Sequence, residues 1–147
     1  MTAPPPITAF VGPYRFLSNF WPCRVTLDGE TYPTVEHAYQ AAKTLEPRRR
    51  HLIRVAPTPG HATRAGRALS LRPDWHAIKY AVMLALLVEK FADPDLRRQL
   101  LATAPRRLVE GNHWGDTHWG VYRGRGDNHL GRLLMVVRDG DVPTPEA

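Results

Sequence analysis

The sequence predicts an α+β fold: a single, mostly helical domain with a small sheet. Three observations predict it. Helical patterns outnumber strand patterns, and the two strand regions, near residues 23–32 and 108–110, lie far apart along the chain. A length of 147 residues suits one core of ordinary size and leaves little room for a second.

Met1 to Ala9 holds three consecutive prolines and no apolar periodicity, and Gly140 to Ala147 is short, polar and proline-containing. Both read as disordered tails (1–9 and 140–147) around a domain over 10–139. Within it, Cys23 to Leu27 reads as a strand, Asp28-Gly29 as a hairpin turn and Thr31-Tyr32 as the return strand. Thr34 is a candidate N-cap for an alanine-rich helix from Val35 to Thr44, which Pro47 closes. A basic loop with Arg48, Arg49 and Arg50 then passes Pro57, Pro59 and Gly60 to a short helix near Ala62 to Leu69. The longest helix is expected from Pro73, a residue suited to the first helical position, to Phe91, with Ile78, Val82, Ala85 and Val88 on its apolar side. Pro94-Asp95 restarts a helix that ends near Thr103. Leu108 to Glu110 reads as a short strand, a loop rich in glycine, tryptophan and histidine runs to His129, and a last helix covers Leu130 to Arg138.

Composition narrows the function classes. No run of 18 or more apolar residues occurs, and the N-terminus lacks a basic segment followed by an apolar one. Neither a membrane span nor a signal peptide is expected, and the reading is cytoplasmic. Cys23 is the only cysteine, which excludes an internal disulfide and a cysteine-based zinc site. The net charge of +6 comes from twenty Lys and Arg against fourteen Asp and Glu, and the only lysines are Lys43, Lys79 and Lys90. A surface rich in guanidinium suits phosphate or nucleic acid; a solvated face in a chain from an arginine-favouring genome has the same composition.

Two constellations carry candidate chemistry. On the helix from Val35, residues Glu36, Tyr39 or Gln40, and Lys43 recur at helical spacing and share one face, while Ala38, Ala41 and Ala42 let neighbours approach closely. A carboxylate and an amine can thus line a cleft, although a surface helix with Glu36 at its start and Lys43 at its end fits the macrodipole equally simply. The second constellation runs from Glu110 to Gly120, with two tryptophans, three glycines and Asp116. Tryptophan faces stack on bases, and Asn112 and Asp116 can bond sugar hydroxyls or donate a proton; an aromatic mini-core under a long loop is the plainer alternative. His113, His118 and His129 with Asp116 match no standard ligand spacing, so no metal is expected. Gly124-Arg125-Gly126 offers a flexible backbone that can bind phosphate.

An ordered series of motifs resembles the NADAR (YbiA-like) family from about Phe10 to Arg138. Its members are Phe16-Leu17-Ser18-Asn19-Phe20, Glu36-His37 with Gln40 and Lys43, Arg72-Pro73-Asp74-Trp75, Lys79 with Val82-Met83 and Lys90-Phe91, Gly111-Asn112 with Trp114-Gly115-Asp116 and Trp119-Gly120, and Asn128 with Leu130-Gly131 and Leu133-Leu134-Met135. The resemblance implies a YbiA-like α+β fold and hydrolysis of N-glycosidic bonds to ribose. Two substrate classes come with it: ADP-ribose attached to guanine of DNA or a nucleotide, and phosphoribosylamino-pyrimidine intermediates of riboflavin synthesis.

Cleaving a ribosyl–nitrogen bond needs a charge partner for the cationic sugar, a proton for the leaving nitrogen and a nucleophile. Glu36 and Asp116 are assigned to these tasks by analogy with glycoside hydrolysis, their individual roles left open. Lys43 can form a Schiff base with an opened ribose, or bind phosphate. Trp75 and Trp114 are candidates for stacking on the base, Asn112, Asn19 and Gln40 for sugar or base hydrogen bonds, and Arg15 and Arg67 for phosphate. No cofactor and no membrane partner are expected. The charge and the arginine-rich loop favour ADP-ribosylated guanine. A non-catalytic module that binds ADP-ribose or nucleic acid would use the same aromatics and arginines.

Overall fold

The structure, a computed structural model, describes residues 3–143, so positions 1–2 and 144–147 of the expected tails lie outside the described residues. The chain is mixed helix and small sheets, as expected. Among the described residues its packing divides into two compact units, one of residues 19–90 and one of residues 3–18 together with 91–143. Among the described residues no helix is long and apolar enough to cross a membrane.

In the unit of residues 19–90, β1 (Val25–Leu27) and β2 (Glu30–Tyr32) pair antiparallel with Val25 opposite Tyr32. The turn between them needs two successive left-handed residues, and Asp28 (φ 49°) and Gly29 (φ 85°) supply them. Helix α1 (Val35–Ala42) starts at Thr34, whose hydroxyl accepts the His37 N–H at 3.0 Å. It is a core helix. Seven of its eight residues are buried and Glu36 is the exception, so the alanines do allow close packing on every side.

The expected basic loop is instead helix α2 (Pro47–Arg54). Proline lacks an N–H that the first turn has no use for, so Pro47 opens this helix as well as marking the end of α1. Ile53 is its one buried side chain, too little apolar periodicity to signal a helix in sequence. Helix α3 (Pro59–Arg67) likewise begins at its proline, with Thr58 capping the His61 N–H at 3.1 Å.

Helix α4 (Trp75–Lys90) is the longest, and its expected apolar side was misplaced. Its buried residues are Trp75, Met83, Leu86, Leu87 and Lys90, while Ala85 and Val88 are exposed and Ile78 and Val82 half-buried. Because the helix is apolar nearly all round, periodicity selects no face; packing does.

In the other unit, a 3-10 helix (Gly12–Leu17) places Phe16 edge-on to Phe91 at 6.5 Å between ring centroids. Helix α5 (Pro94–Leu101) is capped by Asp93, whose carboxylate accepts the N–H groups of Asp95 and Leu96. Ile7, inside the expected N-terminal tail, is only 2% exposed. It forms a parallel bridge with Leu108 through hydrogen bonds with Arg107 and Val109 at 2.8 Å. The ordered chain therefore reaches N-terminal of Phe10, held by a partner about a hundred residues away that local pattern cannot reveal. The strand expected at 108–110 is this single bridge, followed by β3 (Gly111–Asn112), which pairs parallel with β4 (Val121–Tyr122). Helix α6 (His129–Asp139) buries Leu130, Leu134 and Arg138, the last with Nη1 donating to the carbonyl of Arg106 and the hydroxyl of Thr103.

Candidate active site

The face of α1 predicted to carry Glu36, Gln40 and Lys43 is assembled as a polar cluster with α3. Gln40 Nε2 donates to Glu36 Oε2 at 2.9 Å, and Thr63 Oγ1 donates to the same oxygen at 2.7 Å. The Glu36 N–H donates to the carbonyl of Asn19 at 3.1 Å, which fixes the carboxylate's own backbone. Two donors on Oε2 orient the carboxylate and leave Oε1 as the oxygen to present. Lys43, the C-cap of α1, lies with Nζ 5.7 Å from the centre of the Tyr39 ring. Burial lowers its pKa below the ordinary lysine value; the Glu36 carboxylate opposes that shift and the Arg67 guanidinium adds to it. An amine, a carboxylate and a guanidinium thus act on one another within a single unit.

In the other unit the loop after β3 is held by its own polar groups. Asn112 Nδ2 donates to the carbonyl of Asp116 at 2.9 Å, and Asn112 Oδ1 accepts the Asp116 N–H at 3.0 Å. Asp116 Oδ1 accepts the N–H groups of His118 and Trp119 at 3.0 and 2.9 Å, closing a tight turn. Oδ2 is the oxygen left over. Trp114 is 64% exposed, with the His113 ring edge-on at 5.0 Å. Glu110, 9% exposed, has its carboxyl pushed up to about 7 by burial; the hydrogen bond from Asn112 opposes the shift and Asp116 adds to it. His118, Asp127 and His129 have ligand atoms within 4.8 Å of one another, with Asp127 and His129 3.9 Å apart.

Comparison with known proteins follows the same order of residues. The model of the NADAR domain matches residues 9–140. The chain belongs to the NADAR family. N-glycosidase YbiA of Escherichia coli is 45% identical over 132 residues, covering 86% of this chain and 81% of that one. An N-glycosidase of Nostoc punctiforme is 38% identical over 134 residues, covering 86% and 85%. A riboflavin biosynthesis protein of Vibrio vulnificus is 40% identical over 130 residues, and there the match spans only 35% of the longer relative. The NMR structure of E. coli YbiA superposes with a TM-score of 0.80 at 40% identity, over 92% of this chain and 84% of that one.

Several of the residues expected to bind ligand take other places. Trp75 is 3% exposed and tilts against Tyr39 at 5.1 Å, so its faces are covered by core and cannot stack on a base. It steadies the ring beside Lys43 instead. Asn112 spends its amide on the Asp116 loop. Asn19 turns its side chain toward Met83 Sδ at 3.6 Å, and its part at Glu36 is played by the backbone carbonyl. Gln40, buried, supports Glu36. Trp114, Arg15 and Arg67 are exposed. Sequence reasoning missed Thr63, which lies in a different helix from Glu36, and Glu110, which ended a presumed strand.

Gly66 on α3 leaves the space Gln40 needs. A Cβ there would lie 1.9 Å from Gln40 Oε1 and 2.6 Å from its Cδ. Alanine gains about 0.5–1 kcal/mol of helix propensity over glycine, but overpacking costs about 1–3 kcal/mol. Gly66→Ala is therefore expected to lower the denaturation midpoint and to weaken activity by pushing Gln40 off Glu36. A variant at least as stable and active as the parent would mean that Gln40 gives way freely.

Proposed function

We propose that this NADAR chain removes ADP-ribose from guanine bases of nucleic acid, hydrolysing the ribosyl–nitrogen bond without a cofactor, in the cytoplasm. Its class, a hydrolase of N-glycosyl bonds, follows from family membership and from relatives named N-glycosidase. The substrate is the proposal. What carries it is the cluster on α1 and α3: a carboxylate oriented by Gln40 and Thr63, an amine of depressed pKa about two turns further along the same helix, and exposed Arg64 and Arg67 on the helix that supplies Thr63. Guanidinium groups suit a pyrophosphate, and Arg48 and Arg49 on α2 add exposed positive charge for a nucleic-acid backbone. In this reading Glu36 acts at the anomeric carbon or its water, and Asp116 is the other candidate carboxylate. Trp114 offers a free aromatic face to a base.

A second reading, hydrolysis of phosphoribosylamino-pyrimidine intermediates, is favoured by the riboflavin biosynthesis proteins of Vibrio vulnificus and Zea mays among the relatives. The two separate on direct competition. Purified protein offered ADP-ribosylated guanine in DNA and the pyrimidine intermediate, with sugar release followed by mass spectrometry, is expected to prefer the first. Its rate at sub-saturating DNA should fall steeply with salt, because each phosphate contact releases counterions; a small phosphoribosyl substrate gives a shallower response. Turnover of the pyrimidine with none on modified DNA would reverse the assignment.

A further inference from the structure

We propose that Glu110 is a positioning residue for Asp116: its carboxyl anchors the Asn112 amide, and that amide sets the backbone from which the Asp116 carboxylate is presented. The inference deepens the proposed function and rests on it only where activity is read.

Glu110 is fixed at both ends of its own backbone. Its N–H donates to Asn128 Oδ1 at 2.9 Å, and its carbonyl accepts the Val121 N–H at 2.8 Å. Asn128, buried and left-handed at φ 55°, donates in turn to the carbonyl of Leu108 at 3.0 Å. From this support Glu110 Oε2 accepts Asn112 Nδ2 at 3.2 Å. The other two Asn112 bonds go to the N–H and the carbonyl of Asp116, so the amide can neither rotate nor shift without moving that residue. Gly120 makes the arrangement possible, since a Cβ there would fall 1.7 Å from Glu110 Oε2 and 2.7 Å from Asn112 Nδ2.

The charge on Glu110 decides how firmly the chain of bonds holds. One amide donor is poor compensation for a buried carboxylate, which is why the carboxyl keeps its proton toward neutrality. Neutral, it accepts from Asn112 and does not repel Asp116. Ionised, it faces a second carboxylate across the same amide. The titratable neighbour acting on it is Asp116; His118, Asp127 and His129 on the segment leading into α6 form a group of their own. Ionisation thus acts on the Asp116 loop in two opposed ways, tightening the Asn112 bond and setting a second carboxylate near Asp116, so the loop responds to the charge on Glu110.

The test is an NMR pH titration of the full 15N-labelled chain, following the Asp116 N–H and the Asn112 side-chain amide. In the parent both should shift with a common midpoint near 7. In Glu110→Gln, whose amide oxygen keeps the Asn112 bond without a charge, that step should vanish, while a variant with His118 and His129 both changed to Asn should retain it. Glu110→Ala is expected to disturb both signals and to lower kcat about ten- to a hundredfold with KM little changed, while Glu110→Gln, which keeps the Asn112 bond, restores most of kcat and lacks the pH step near 7. If the alanine variant does not fold, Glu110→Asp, one methylene short of Asn112, takes its place. A titration that survives Glu110→Gln, or Asp116 signals indifferent to Glu110→Ala, overturns the proposal. Should the parent lack glycosidase activity, the functional reading fails and the NMR result still decides the role of Glu110.

Discussion

Glu36→Gln and Asp116→Asn are each expected to lower turnover by at least about a hundredfold, the lower range for an acid–base group. Both exchanges keep shape and lose charge. In Glu36→Gln the new carbonyl oxygen can still accept from Gln40 and Thr63, so α1 and α3 remain joined. In Asp116→Asn the side-chain oxygen can still accept the N–H groups of His118 and Trp119, so the turn persists while the remaining carboxylate oxygen becomes an amide. Circular dichroism should therefore match the parent while product release collapses. A protein that only binds ADP-ribose would keep its affinity in both variants and release no product even as the parent. Near-normal turnover in a folded variant removes that residue from the mechanism.

What the sequence made legible was local. The Asp28-Gly29 hairpin, the Thr34 cap and the shared face of Glu36, Gln40 and Lys43 each depend on residues at most a few positions apart, and each has a backbone or spacing requirement few residue types meet. What escaped was set at a distance. Ile7 pairs with Leu108, Thr63 reaches Glu36 from a second helix, and the side of α4 that is buried depends on what lies against it. Polar residues were the hardest to assign. Asn112 and Asp116 share a loop rich in site-like residues, yet the Asn112 bonds all turn inward to hold the loop. A functional loop must satisfy its own backbone before it can present anything, and sequence does not say which of its polar side chains are spent on that.

Lys43→Arg is expected to abolish most activity and all covalent trapping, because an arginine keeps the positive charge but has no neutral amine to offer. On the imine route this prediction tests, the lysine would attack the anomeric carbon as the free amine, the carbon–nitrogen bond to the base would break, and the base would leave with a proton. The ring oxygen then leaves that carbon, taking a proton from the lysine nitrogen, and an imine remains. Water adds to the imine, releasing the sugar and regenerating Lys43. Burial favours this route by lowering the lysine pKa, so more of the amine is neutral near pH 7 than at an exposed lysine. Since Glu36 raises that pKa and Arg67 lowers it, Arg67→Gln should move the rise of activity with pH toward higher pH. Borohydride added during turnover should leave a sugar-derived mass on Lys43, located by peptide mass spectrometry, and none in the arginine variant. An arginine variant that works nearly as well as the parent makes Lys43 a charge partner only, and transfers the nucleophile's part to water held by Glu36 or Asp116.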